Sequence, residues 1–174
     1  MSHINIEIKA RCHDQESIRQ ILRSGKAEFK GTDHQTDTYF RVSQGRLKLR
    51  EGNIENNLIH YQRADTEGPK QSDVLLFRSD PGSALKEILT KALGILVIVE
   101  KKREIWFIGN VKFHLDLVEG LGSFVEIEAI DRDGSTGRDA LLRQCRHYLR
   151  LFSIADKDLV PVSYSDMLME KGRD

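Results

Sequence analysis

The sequence predicts an α+β fold in which eight antiparallel strands close into a barrel and the helices pack outside it. Three observations lead there. Eight stretches alternate apolar and polar residues with a period of two, and most are joined by turns short enough for antiparallel neighbours. Three further stretches, 14–25, 80–94 and 138–152, place apolar residues at helical spacing. Many of the strands carry charge on the face opposite their apolar side, and closing eight strands into a barrel leaves no exposed edge.

Taken in order, Ile4 to Arg11 alternates cleanly, with Ile4, Ile6, Ile8 and Ala10 opposite Asn5, Glu7, Lys9 and Arg11. Asp14 has the chemistry of a helix N-cap, followed by Ile18, Ile21 and Leu22, with Gly25 as the stop. Gln35 to Arg41 reads as a strand, Ser43-Gln44-Gly45 as a turn, and Arg46 to Glu51 as a strand with Arg46, Lys48 and Arg50 on one face. A polar loop, 52–56, leads to a strand from Leu58 to Asp65 bearing Arg63, a turn at Glu67-Gly68-Pro69, and a strand from Ser72 to Arg78. Asp80-Pro81 reads as a cap with proline at the first helical position, opening the second helix. Ile95 to Trp106 is β-branched and strand-like, with Lys101 and Arg103 on one face, and Gly109-Asn110 turns it back.

The stretch from His114 to Glu128 reads as two strands joined by Glu119-Gly120-Leu121-Gly122. Lys112, His114 and Asp116 alternate with apolar residues on the first, and Glu126 and Glu128 do so on the second. Paired strands bring opposite side chains within about 5 Å, so Asp116, Glu126 and Glu128 can share a crowded acidic face. A hard divalent ion with oxygen ligands, Mg²⁺ or Mn²⁺, would relieve the repulsion; solvated acids on an outer face would relieve it equally. After the loop at 131–137 comes the third helix, and the tail holds a short helix from Ser165 to Glu170.

The alternation leaves two ways to bury the apolar faces. In the ordinary one they point into the barrel and the charges meet solvent. In the inverted one Lys9, Arg11, Lys48, Arg50, Arg63, Arg78, Lys101, Arg103 and Lys112 line a wet bore with Glu7, Asp116, Glu126 and Glu128, and the helices cover an apolar exterior. Such a bore would carry an arc of cations suited to phosphate oxygens beside an arc of acids suited to a metal.

Composition bounds the rest. The 174 residues suit one domain, 1–174. With 27 Lys plus Arg against 27 Asp plus Glu there is no basic excess for nucleic acid or an acidic membrane. The two cysteines, Cys12 and Cys145, make no disulfide framework and fit a reducing, cytoplasmic setting. The longest apolar run, 94–99, is too short to span a bilayer.

The residues now assembled resemble the CYTH superfamily, the triphosphate tunnel metalloenzymes, which includes class IV adenylyl cyclases, thiamine triphosphatases and inorganic triphosphatases. The resemblance is carried by RLKLRE (46–51), VEKKREIWF (99–107), VKFHLDLVEGLGSFVEIE (111–128) and SYSDML (163–168). To these is added the N-terminal Glu-x-Glu-x-Lys motif, which falls on Asn5, Glu7 and Lys9.

The resemblance implies the inverted barrel, a tunnel holding a small-molecule triphosphate with Mg²⁺ or Mn²⁺ on its acidic wall. It implies Glu7, Asp116, Glu126 and Glu128 as metal ligands. Lys9, Lys48, Arg50, Arg63, Lys101 and Arg103 are implied as phosphate-binding, with Arg11, Arg78 and Lys112 added, and Glu7, Lys9, Arg50 and Arg103 as catalytic. On the strand of Arg63, Gln62 is the other position for the family's basic residue. Asn5 departs from the motif: it replaces the first glutamate with an amide that can ligate but brings no charge.

The chain is expected as a monomer or homodimer. The resemblance implies an enzyme that converts ATP to cyclic AMP and pyrophosphate. The alternatives are a nucleoside, thiamine or inorganic triphosphatase and, third, a polyphosphate-binding module without catalysis. His114 is expected as a hydrogen-bonding lining or rim residue, Asp37 as a surface or structural hydrogen-bonding residue, Tyr39 and Trp106 as core, and Tyr164 as the anchor of the tail.

Overall fold

A computed structural model describes residues 2–64 and 68–173. The strands are β1 (Ser2–Arg11), β2 (Glu28–Phe40), β3 (Arg46–Glu51), β4 (Asn56–Arg63), β5 (Lys70–Arg78), β6 (Ile95–Ile108), β7 (Val111–Val118) and β8 (Gly122–Asp131). The helices are α1 (Gln15–Ser24), α2 (Leu85–Leu93), α3 (Arg138–Leu151) and α4 (Tyr164–Lys171). The strands close into an all-antiparallel barrel in the order β1-β5-β4-β3-β2-β6-β7-β8.

The barrel is inverted. On β1, Ile6, Ile8 and Ala10 are buried on the outer face while Asn5 and Lys9 are buried within. The outer residues pack with Phe113, Leu115, Val125, Ile127 and Ala129 of β7 and β8 against Ile18 and Leu22 of α1 and Leu141 and Cys145 of α3. The main apolar core therefore lies between barrel and helices. A second, smaller cluster (Tyr39, Tyr61, Val99, Phe124, Val160 and Tyr164 among its members) fills one end of the bore beneath the tail.

Local chemistry explains the helices. Asp14 caps α1 by accepting the Ser17 N–H at 3.1 Å. Ser163 and Asp166 form a reciprocal capping box on α4. The second helix departs from expectation: its first turn is not at Pro81 but at Leu85, with Ala84 as N-cap and no side-chain cap. Ser83 N–H bonds back to Asp80 O, so Asp80 and Pro81 make a turn ahead of the helix. β2 also begins at Glu28, earlier than its Thr-rich segment predicts, because 28–34 pair with β6 through a register shift between Phe29 and Gly31. Asp65 and Glu67, read as a strand end and a turn, lie outside the described residues. Among the described residues no helix is long and apolar enough to cross a membrane.

Candidate active site: a charged tunnel

Strand alternation decides which side chains meet inside. The bore has about 830 Å³ of space between its walls, open solvent at the mouth included. Glu7, Lys9, Lys48, Arg50, Arg63, Lys101, Arg103, Lys112, Glu126 and Glu128 all line it, with Asn5, Asp37, Glu55 and His114. The residue on β4 is Arg63, since Gln62 is exposed on the outer face. Arg11 and Arg78 share the inward phase but are the last residues of their strands, and both are exposed. Arg11 donates to Leu121 O at 3.3 Å and lies over Phe124; neither arginine lines the lumen.

Burying this many charges is tolerable only when they are paired. Asp37, fully enclosed, is the first hub. Arg50 grips it bidentately at 2.9 and 2.8 Å, Lys101 at 2.8 Å and Lys48 at 3.2 Å. Burial would raise the Asp37 carboxyl, but Arg50, Lys101 and Lys48 hold it well below the usual range. The same burial, with Arg50, Arg103 and Lys48 nearby, pulls Lys101 down to about 7 against the attraction of Asp37.

The second hub is Arg103. It holds Asp116 bidentately at 2.7 and 2.6 Å and reaches Glu126 at 3.0 Å. Tyr164 Oη donates to Asp116 at 2.7 Å, so both Asp116 oxygens are engaged. Glu126 also meets His114 Nδ1 at 2.9 Å and Lys9 Nζ at 3.5 Å. Burial lowers Lys9 to about 8 despite Glu126. Burial and then Arg103 lower His114 to about 4, so His114 is a neutral ring at neutral pH. A carboxylate accepts, so Nδ1 carries the proton toward Glu126 and Nε2 is a bare acceptor; it is buried with no partner among the described residues.

The four acids grouped by the sequence reading are therefore divided. Asp116 and Glu126 sit among cations. Glu7 and Glu128 face each other across β1 and β8 in direct register. Burial, then Glu7, raise the Glu128 carboxyl, with Lys112 and the Asn5 amide acting the other way. Asn5 Nδ2 donates to Glu128 Oε1 at 2.5 Å, while Asn5 Oδ1 is buried and has no partner among the described residues. No three His, Cys, Asp or Glu side chains among the described residues converge as a metal cage. The oxygen donors gathered at this spot are two carboxylates and one amide.

Arg63 is incompletely used. Its Nη1 binds Glu7, but Nε and Nη2 are buried without an acceptor among the described residues.

The two ends of the bore differ. At one, the tail lies across: Val162 O accepts from Lys9 at 3.3 Å, Pro161 O accepts from Lys70, and Lys9 Nζ stands 3.9 Å over the Tyr164 ring. Arg46 fastens α4 through Asp166 at 2.7 Å and Ser163 at 2.9 Å. At the other, the β3–β4 loop brings in Glu55, which accepts from Lys112 at 2.5 Å and Arg50 at 3.4 Å.

Sequence reasoning passed over Glu55, which sits in a loop without periodicity, and set Asp37 aside. Asp37 was findable, because it opposes Arg50 and shares its strand phase with Tyr39. Tyr39 lines the lumen as well as packing in the end cluster, whereas Trp106 packs against Phe29 outside.

Comparison with known proteins agrees with this architecture. A Pyrococcus horikoshii OT3 protein, PH1012, superposes with a TM-score of 0.74 at 26% identity, over 93% of this chain and 98% of that one. A Methanocaldococcus jannaschii protein named "Putative adenylate cyclase MJ0240" is 24% identical, over 94% of this chain and 98% of its own. The Hippeastrum protein HpAC1, named a "Putative adenylyl cyclase" with a dominant triphosphatase activity, shares the fold with a TM-score of 0.62. It is 14% identical, over 99% of this chain and 96% of that one. The CYTH domain profile matches residues 3–164, nearly the whole barrel and its helices, and the chain belongs to the CYTH family.

Proposed function

We propose that the tunnel binds a nucleoside triphosphate with a divalent metal and carries out phosphoryl chemistry on it, as a class IV adenylyl cyclase-like enzyme acting on ATP. The observation that carries this reading is Arg63. Two of its buried guanidinium donors meet no acceptor among the described residues, a cost of about 1–3 kcal/mol for each, and phosphate oxygens are the acceptors that a planar fork fits. Lys9, Lys48 and Lys101 stand on the same lumen as point charges. Arg50 and Arg103 bind there while fixing Asp37 and Asp116.

The donors fit a hard cation. Glu7, Glu128 and the unpartnered Asn5 Oδ1 would hold Mg²⁺ or Mn²⁺, with Glu126 and Asp116 stabilising the neighbouring cations instead. When bound, the metal supplies charge neutralisation at phosphate oxygens. The chain's own part is positioning. Lys and Arg side chains hold the phosphates in line and meet the charge that develops on them. In the cyclase reaction the ribose 3′-hydroxyl attacks the α-phosphorus, the bond to the bridging oxygen breaks, and pyrophosphate leaves. Half-buried Leu76, which continues the lumen beyond Ile59 and Val74 of the end cluster, gives an apolar surface that supports a substrate with an organic group.

Hydrolysis is the second reading, and the activity described for HpAC1 is of this kind. The bare Nε2 of His114 accepts from an O–H donor, a water or the ribose 3′-hydroxyl, and so serves the nucleophile of either reaction. A product assay separates the two. ATP, thiamine triphosphate and tripolyphosphate are incubated with Mg²⁺ or Mn²⁺. Cyclic AMP with pyrophosphate supports the cyclase, orthophosphate supports hydrolysis, and neither product with intact binding supports a polyphosphate-binding module.

A further inference from the structure

Glu55 lies outside every strand yet presents its carboxylate to the tunnel, and the loop that carries it is fixed from beneath. Fully buried Asp33 accepts the N–H of Ile54 on one oxygen and the N–H of Glu55 on the other, both at 2.9 Å. Gly52 passes so close that a β-carbon there would lie 2.5 Å from Asp33 Oδ1, so no larger residue fits without displacing that buried carboxylate. Gln35 Nε2 spans Asp33 at 2.8 Å and Glu55 at 3.1 Å. The carboxylate is thus held in place, with Lys112 on one oxygen and Arg50 on the other.

Those two cations are ones a phosphate would otherwise take, because carboxylate and phosphate oxygens compete for the same donors. At the opposite end the tail already covers the bore, its Val162 and Pro161 carbonyls accepting from Lys9 and Lys70. A longer phosphate chain has only the Glu55 mouth to extend toward, and there it meets a fixed like charge.

We propose that Glu55 is a length stop, a specificity residue that ends the phosphate track at this mouth and disfavours chains longer than a triphosphate. The inference rests on the triphosphate reading above and goes beyond it by naming what limits the substrate.

The test is calorimetric titration of wild type, Glu55→Gln and Glu55→Ala with pyrophosphate, tripolyphosphate and tetrapolyphosphate at constant free Mg²⁺. Wild type is expected to bind tetrapolyphosphate more weakly than tripolyphosphate, although added charge alone would favour the longer anion in a cationic bore. In both variants the ratio of tetrapolyphosphate to tripolyphosphate affinity is expected to rise by about tenfold or more. Equal or tighter tetrapolyphosphate binding by wild type, a ratio that does not move, or one common gain at all three lengths would overturn the length stop. Wild type that binds none of the three would overturn the triphosphate reading itself, so the two failures are distinguishable.

Discussion

At the scale of single residues, what matters is which buried polar atoms are left without partners. Among the described residues Arg63 has two such donors and Asn5 one such acceptor. Arg63→Ala is expected to weaken tripolyphosphate binding about 10- to 100-fold in calorimetry, the loss appropriate to charge-assisted bonds of roughly 1.5–3 kcal/mol. Asn5→Glu exchanges the amide for a third carboxylate beside Glu7 and Glu128, and a Mg²⁺ titration should then show tighter binding; no gain would count against Asn5 as a ligand. The lysines set a pH dependence. Burial lowers Lys101 to about 7 and Lys9 to about 8. Both are charged below those values and neutral above them. Metal-free tripolyphosphate affinity should therefore fall as pH rises from about 6 to about 9, and binding that is flat over that range would contradict the role of these lysines.

At the scale of elements, each strand divides its work between two faces, and the two can be perturbed separately. Leu141 of α3 is fully buried against the outer faces of the strands. Leu141→Ala should cost about 2–5 kcal/mol in denaturant unfolding and leave anion affinity unchanged when the protein is folded. Strand phase was the part of this molecule most legible from sequence. Once Lys9, Lys48, Arg63, Lys101 and Arg103 are assigned inward, their convergence follows from the pleat alone. Arg11 and Arg78 share that phase but not the site: both are exposed at the rim, whereas Arg63, equally the last residue of its strand, has its side chain buried in the lumen, so phase carries no information about depth. The pairing of Asp116 with Arg103 follows from the hairpin turned at Gly109-Asn110, whereas that of Glu7 with Arg63 is hidden, since it joins residues 56 positions apart on strands brought together only by barrel closure. Glu55 was invisible for another reason: a buried aspartate on β2, not a periodic pattern, positions its loop. The start of α2 falls later than the Asp80-Pro81 pair predicts, since an Asp-Pro pair serves a turn as well as a helix N-terminus.

At the scale of the whole molecule, equal numbers of acidic and basic residues conceal a strong internal order. The helices supply the apolar core from outside, which frees the interior for ionic networks; an ordinary barrel of this size would fill it with side chains. The tail seals one end and the β3–β4 loop guards the other, so the tunnel has a direction. The central claim is that this interior is a binding site for a triphosphate and not merely a self-neutralised set of ion pairs. Thermal unfolding in the presence of tripolyphosphate, with and without Mg²⁺, tests it most directly. A ligand that binds only the folded barrel must raise the melting temperature with concentration, and at a hundredfold excess over its dissociation constant it adds about 2.7 kcal/mol. A concentration-dependent rise that Arg63→Ala diminishes is the predicted result; a melting temperature that tripolyphosphate leaves unmoved, with the metal or without it, would contradict the account.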